Sequence, residues 1–82
     1  MEKIDFLLLL DELFELDDGM TRGEDVIQEI DGWSSLTLIG LIALIDREFE
    51  IQLGPESILN SRTVNELIAV LGDSITSGKQ AA

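Results

Sequence analysis

The sequence predicts an all-α fold, a bundle of three main helices and one short helix with a long loop between the first and second helices. Apolar residues recur at helical spacing in residues 4–16 and 35–49. Thr63 stands three residues before Glu66, an arrangement typical of a capping box at the start of a helix. Between the first two helical segments lies an acidic stretch with three of the seven glycines, which indicates a loop.

Length and charge limit the classes of function. The 82 residues predict a single domain over residues 1–75 and a disordered tail over residues 76–82. Seventeen acidic residues against five basic ones give a net charge of −12, which repels nucleic acid and anionic membranes. The longest apolar run, residues 6–10, is too short to cross a bilayer. We therefore expect a cytoplasmic monomer that binds neither nucleic acid nor membrane.

The residue types also argue against an enzyme or a metal site. Histidine, cysteine and tyrosine are all absent, which removes the commonest general base, the commonest zinc ligand and the thiol nucleophile. Asp17-Asp18-Gly19 is not followed by the regular oxygen ligands and closing glutamate of an EF-hand loop. Close carboxylate pairs are expected by chance among seventeen acidic residues and are more often a solvated face. We predict no catalytic residue and no metal ligand.

The first predicted helix spans residues 4–16 and has one apolar stripe. The stripe follows the i, i+3, i+4, i+7 spacing: Phe6, Leu9, Leu10 and Leu13. Asp11, Glu12 and Glu15 are expected largely on the opposite, polar side.

Three shorter segments complete the predicted fold. Val26, Ile27 and Ile30 have the spacing of one helical turn and are expected to pin the long loop across the core. Gly54-Pro55 begins a brief helix whose inward residues are Ile58 and Leu59. The last helix has an apolar face of four residues: Val64, Leu67, Ile68 and Leu71.

Residues 35–49 predict a second main helix with two different faces. One face is a core stripe: Leu38, Leu41, Ile42, Ile45 and Phe49. The other face is apolar or bare at first and charged only in its last turn: Leu36, Ile39, Gly40, Ala43, Asp46 and Arg47. A small domain is not expected to bury a helix on every side, so we predict that this second face is exposed and binds a partner. Gly40, which costs a helix about 1 kcal/mol relative to Ala, marks either a close approach or a tolerated weakness.

Ser35 stands at the start of this helix, in Gly32-Trp33-Ser34-Ser35-Leu36. The first turn of a helix has free backbone N–H groups and the positive end of the helix dipole. A phosphate ester on Ser35 would therefore lie where negative charge is favoured. Serine is also a frequent capping residue, so a purely structural role for Ser34 or Ser35 stays open at this point.

The chain resembles the acyl carrier protein family from Ile4 to about Leu71. The family's attachment motif is Asp-Ser-Leu, and Ser34-Ser35-Leu36 stands here. Residues 42–49 resemble the family's second helix, and residues 61–67 resemble its lead into the final helix. The resemblance implies an acyl-carrier-like bundle with 4′-phosphopantetheine joined to Ser35 by a phosphodiester. It also implies a carrier that holds acyl groups as thioesters on the arm, rather than an enzyme.

The resemblance further implies the partners and two departures from the usual pattern. The implied partners are a phosphopantetheinyl transferase and enzymes that transfer or modify acyl groups, docking through basic or apolar patches onto Ser34 and the exposed face of the second helix. Ser34 replaces the family's Asp and removes a charge that the transferase usually reads. Thr37 and Gly40 stand where members often have acidic residues. Both departures suggest a specialised carrier rather than the general one of fatty acid synthesis.

Three pathways and two alternatives stay open at the level of sequence. The acyl cargo is expected to belong to fatty acid, polyketide or related specialised biosynthesis. One alternative is an aminoacyl or peptidyl carrier of a nonribosomal peptide-type system, which would have the same fold and arm. The other is an acidic adaptor with a carrier-like fold and no arm, which the loss of the family's Asp at Ser34 keeps open.

Overall fold

A computed structural model describes residues 1–75, which contain four α-helices. They are α1 (Lys3–Leu13), α2 (Ser35–Phe49), α3 (Pro55–Leu59) and α4 (Val64–Leu71), with short 3-10 turns at Ile27–Glu29 and Gly72–Ser74. No β-strand occurs among these residues, so the predicted all-α fold of three main helices and one short helix is confirmed. The predicted tail, residues 76–82, lies outside the described part of the chain.

None of the helices in residues 1–75 is long and apolar enough to cross a membrane.

Helix α1 ends at Leu13, three residues earlier than the sequence predicted. Glu15 adopts a left-handed conformation with φ of 59°. The Leu16 N–H then donates to the Asp11 carbonyl oxygen at 2.8 Å, and the Glu15 N–H donates to the Glu12 carbonyl oxygen at 3.2 Å. These two bonds form a Schellman motif, which usually has glycine at the left-handed position. Because glutamate occupies the left-handed position instead, the sequence gives no signal that the helix ends at this point.

Asp11 corrects the predicted polar side of α1, because its side chain is fully buried. One carboxylate oxygen accepts the Gly19 N–H at 2.8 Å, and the other accepts the Thr21 N–H at 2.8 Å. The carboxylate thus supplies hydrogen-bond acceptors for two backbone N–H groups of the loop that would otherwise be unpaired. Asp11 holds the first part of the long loop against α1.

The apolar core collects side chains from all four helices and from the loop. Its buried members are Phe6, Leu10, Phe14, Ile27, Leu41, Leu44, Ile45, Ile58, Val64, Leu67, Leu71 and Ile75. Within the predicted stripe of α2, Leu41 and Ile45 are buried, whereas Leu38, Ile42 and Phe49 are half-buried and pack against the core. Leu44 is buried as well and was not predicted, because the stripe that packs inward is wider than a narrow helical spacing suggests.

The long loop is pinned as predicted by a helical turn, since Ile27 is 2% exposed and opens the 3-10 turn Ile27–Glu29. A second attachment was not predicted. Three backbone hydrogen bonds join the loop to the start of α4 and the residue Arg62 before it: Ile27 N–H to Arg62 O at 2.9 Å, Val64 N–H to Asp25 O at 3.0 Å and Asn65 N–H to Gly23 O at 2.8 Å. The loop is therefore fixed to α1 through residues 19 and 21 and to the start of α4 through residues 23 to 27.

Helix α3 begins at Pro55 as predicted, but only one of its two expected inward residues is buried. Ile58 is fully buried, whereas Leu59 is 44% exposed. Consecutive helical residues point about 100° apart. A helix of five residues therefore directs Ile58 inward and turns Leu59 outward.

Helix α4 begins at the predicted cap, although the capping box is incomplete. The Thr63 hydroxyl accepts the Glu66 N–H at 3.2 Å. The Glu66 carboxylate accepts the N–H of Arg62 at 2.7 Å instead of the N–H of Thr63. The carboxylate still satisfies a free donor at the helix start, one residue earlier than the motif predicts.

Candidate functional site

The chain enters α2 through a turn that is packed on the end of α1. Gly32 has φ of 94°, and a Cβ atom at this position would lie 2.9 Å from the Phe14 carbonyl oxygen. Only glycine fits such a conformation at such a distance. The next residue, Trp33, packs its ring against that of Phe14, with centroids 6.3 Å apart. The position of Ser35 is therefore set by contacts of the preceding turn with α1.

Ser34 caps α2 and forms a reciprocal pair with Thr37. The Ser34 hydroxyl accepts the Thr37 N–H at 3.2 Å, and the Ser34 N–H donates to the Thr37 hydroxyl oxygen at 2.8 Å. The Thr37 hydroxyl in turn lies 3.0 Å from the Gly32 carbonyl oxygen, to which it can donate. Of the two serines, Ser34 is thus the cap, and the Ser35 hydroxyl is not used for that purpose.

Ser35 is exposed and is the first residue of the 15-residue helix α2. The N–H groups of a first helical turn lack partners within the helix, and here the Ser34 hydroxyl takes up only that of Thr37. The first turn of α2 contains no acidic residue, so no carboxylate there opposes an added anion. An exposed hydroxyl, free N–H groups and the positive helix end fit the phosphate of a phosphopantetheine arm.

An apolar strip runs from Ser35 along the outer side of α2. Leu36 is 77% exposed and Ile39 is 63% exposed. Further along the same side, Ala43, Asp46 and Arg47 are also exposed. Large apolar side chains so exposed and so near each other are typical of a surface that a partner covers.

Gly40 lies at the edge of this strip that faces α1. It is half-buried, and a Cβ atom there would lie 2.8 Å from the Leu13 Cδ1 atom. Of the two explanations left open by the sequence, the geometry favours the close approach of α1 to α2. A contact of Gly40 with a partner protein stays a prediction.

At the far end of the strip, the Arg47 Nε atom lies 3.1 Å from a carboxylate oxygen of Glu48. The Arg47 side chain is 68% exposed. An exposed ion pair of this kind contributes only about 0–1 kcal/mol to stability. Arg47 is therefore not fixed by the fold.

The contacts of two residues in this region are not predicted by the sequence. Thr37 forms the capping pair with Ser34, a role that the sequence pattern of missing acidic residues does not predict. Its spacing of three residues from Ser34 matches a capping box and was the available signal. Gly32 approaches Phe14 closely, and nothing local in the sequence indicates this contact.

Comparisons with known proteins agree with this geometry. Residues 32–71 match the family model described as Phosphopantetheine attachment site, a segment that begins at the turn before Ser35 and ends with α4. The chain is 30% identical over 81 residues to the oxytetracycline polyketide synthase acyl carrier protein of Streptomyces rimosus, covering 95% of this chain and 85% of that protein. No solved structure gave a significant match.

Proposed function

Because the chain belongs to the acyl carrier protein family, we propose that Ser35 is the residue that bears its covalently attached 4′-phosphopantetheine. A protein of this family is a carrier and not a catalyst. When bound, the arm supplies a terminal thiol on which an acyl group is held as a thioester. One observation supports Ser35 over its neighbour. Ser34 is engaged as the helix cap, whereas Ser35 is exposed beside it.

The residues around Ser35 present its hydroxyl rather than activate it. The Ser34–Thr37 pair fixes the first turn of α2, and Gly32 fixes the turn before it against α1. The free N–H groups and the helix dipole stabilise the negative charge of a phosphodiester after it forms. No histidine, cysteine or carboxylate stands in this turn, so we expect the transferase to supply the base for attachment.

We propose an acyl cargo from a polyketide or related specialised pathway. The relative from Streptomyces rimosus is named for a polyketide synthase, which supports acyl cargo over aminoacyl cargo. The first turn of α2 also lacks acidic residues, having Ser34 and Thr37 in a neutral capping pair. Enzymes that dock through charge at these positions would bind this surface less well.

The protein interacts with a phosphopantetheinyl transferase and with enzymes of biosynthesis, as the family does. We propose that they dock on the outer side of α2: Ser34, Leu36, Ile39, Gly40, Ala43, Asp46 and Arg47. The exposure of Leu36 and Ile39 supports this face. We further propose that residues 1–75 form one carrier domain, supported by the single core, and that the net charge of −12 favours a monomer.

Incubation with a broad-specificity phosphopantetheinyl transferase and coenzyme A tests the attachment residue. Ser35→Ala should stay unmodified by intact mass while its circular dichroism is unchanged. The matched control, Ser34→Ala, should still gain one arm, because the Ser35 hydroxyl remains. An arm located on Ser34 by tandem mass spectrometry, or a modified Ser35→Ala protein, would contradict the assignment. A wild-type protein that gains no arm would favour the adaptor alternative.

A further inference from the structure

An open cleft of about 370 Å³ lies along the long loop between α1 and α2. We call it the loop cleft, and it is lined by Leu16, Met20, Thr21, Asp25, Val26, Glu29, Ile30 and Asp31. None of these residues belongs to α2 or to its exposed outer side. The loop cleft is therefore a surface distinct from the attachment site and from the proposed docking face.

The loop cleft combines negative charge with apolar surface. Asp25, Glu29 and Asp31 contribute three carboxylates, and no lysine or arginine lines the cleft. Among the described residues, the single ion pair joins Arg47 to Glu48, so none of these carboxylates has a charged partner in residues 1–75.

The apolar part of the cleft is made mainly by half-buried side chains, those of Leu16, Val26 and Ile30. Met20 lies at the cleft and is 58% exposed. Methionine is flexible and polarizable, so it adapts to the shape of a bound group. The cleft thus offers an adaptable apolar wall beside its carboxylates.

Thr21 gives the cleft an unused polar atom. This residue is 3% exposed, and its backbone N–H donates to Asp11. Its hydroxyl oxygen is buried and has no hydrogen-bond partner in residues 1–75. Buried polar atoms are nearly always paired, and a group bound in the cleft supplies the partner once the Thr21 side chain turns its hydroxyl toward it.

We propose that the loop cleft binds an arginine side chain that a partner enzyme presents next to an apolar residue. The guanidinium is a planar fork that can donate to two carboxylates at once, and three carboxylates line this cleft, one of which also accepts the Arg22 N–H. Its three-carbon stem and the neighbouring apolar side chain cover the half-buried wall. The net charge of −12 attracts such a cation. The proposal rests on the proposed function only in taking the partner to be an enzyme that works on the carried group.

Two other occupants fit less well. A metal ion needs converging ligands, and within residues 1–75 no three acidic side chains come close enough together to hold one. A second copy of this chain brings five basic residues but also seventeen acidic ones, so its approach is opposed by charge. An arginine on a basic partner meets neither difficulty.

The test is a chemical-shift titration of the isotope-labelled unmodified protein with N-acetyl-leucyl-arginine amide as the probe. The peptide is added up to about 10 mM, because a single exposed contact of this kind is weak. We expect the amides of residues 16–31 to shift, with saturation. N-acetyl-leucyl-citrulline amide, which keeps the shape and lacks the charge, should cause much smaller shifts. Equal shifts with the two peptides, or none at these residues, would overturn the proposal.

Substitutions show which side chains of the cleft bind the peptide. The double variant Glu29→Gln/Asp31→Asn should weaken probe affinity by about two- to fivefold or more, the range for exposed charge pairs. The matched control Asp18→Asn/Glu24→Gln removes the same charge from residues outside the cleft and should have less effect. Thr21→Val should also weaken binding while the fold, monitored by the amide spectrum, is kept. Equal effects of the two double variants would show attraction by net charge alone and no site.

A magnesium titration and sedimentation test the two other occupants. Magnesium chloride that reproduces the peptide shifts at equal concentration would overturn the proposal in favour of a cation site. Sedimentation that shows a dimer with residues 16–31 at its interface would overturn it in favour of a second copy. The titration uses protein without the arm and does not depend on Ser35. An unmodified Ser35 would therefore leave the cleft proposal intact, and absence of peptide binding would leave the Ser35 assignment intact.

Discussion

Ser34 and Thr37 exchange hydrogen bonds across the first turn of α2, side chain to backbone in both directions, at 3.2 and 2.8 Å. The pair has the geometry of a capping box without a charged member. It explains how the chain tolerates the loss of the family's Asp at the residue before Ser35. The capping function is retained, and only the negative charge is lost.

The first prediction restores that charge. Ser34→Asp should still cap α2, since Asp and Ser are comparable caps. It should be modified faster by a transferase with a basic docking surface at low salt. The advantage should shrink as salt lowers the Debye length to about 10 Å and below. Modification rates by mass spectrometry over a salt series test this. Asn60→Asp, which adds the same charge away from Ser35, should not accelerate modification.

The second prediction concerns Thr37. Thr37→Val keeps the side-chain shape and removes the hydroxyl, so the Ser34 N–H and the Gly32 carbonyl oxygen lose their partner. We expect a loss of stability of about 0.5–1.5 kcal/mol, faster hydrogen exchange in the first turn of α2, and slower modification of Ser35. Thr37→Ser retains the hydroxyl and should behave more nearly like wild type. If Thr37→Ser were as slow as Thr37→Val, loss of the hydroxyl alone would not explain the defect.

A third prediction follows from the buried carboxylate of Asp11. Asp11→Asn keeps the size but directs an amide group at one of two N–H donors, those of Gly19 and Thr21. The unmatched donor should destabilise the fold by about 1–3 kcal/mol in urea denaturation. Glu12→Gln, an exposed neighbour on the same helix, should change stability by no more than about 0.5 kcal/mol. An Asp11→Asn variant that is as stable as wild type would mean that the loop does not depend on this anchor.

The fourth prediction separates conformation from contact at two glycines. Gly19 and Gly32 have nearly the same φ, 90° and 94°, but only Gly32 has atoms within 4 Å of its missing Cβ. Gly19→Ala should cost about 1–2 kcal/mol for the left-handed conformation. Gly32→Ala should cost about 1–3 kcal/mol more, because its Cβ meets the Phe14 carbonyl oxygen. Denaturation followed by Trp33 fluorescence measures the loss of stability in both variants. Equal losses would show that the approach of a Cβ at residue 32 to Phe14 adds no cost.

Helix α2 was predictable from sequence because its signals are local. Its observed bounds, Ser35–Phe49, are the predicted ones, since capping serines precede an apolar stripe of helical spacing. The end of α1 was missed for the opposite reason. Glu15 takes the left-handed position through bonds to the preceding turn, and its residue type gives no sign of it.

The parts of the site that sequence could not supply depend on distant partners. Asp11 is an ordinary polar position of an amphipathic helix until Gly19 and Thr21 bring two N–H groups to it. Gly40 faces Leu13, a residue 27 positions away on another helix. A periodic pattern assigns residues to faces, but only the packing of α1 on α2 decides which edge of a face is covered.

The last prediction tests the docking face on the outer side of α2. Ile45→Ala should cost about 2–5 kcal/mol because Ile45 is fully buried. Ile39→Ala and Arg47→Glu change exposed side chains and should each stay within about 0.5 kcal/mol of wild-type stability. Both should nevertheless slow acyl transfer to a partner enzyme. The Ile39 defect should persist at high salt because that contact is apolar, whereas the Arg47 defect should fade with salt. A hydrogen-exchange map of the complex that leaves this side of α2 unprotected would show that partners dock elsewhere.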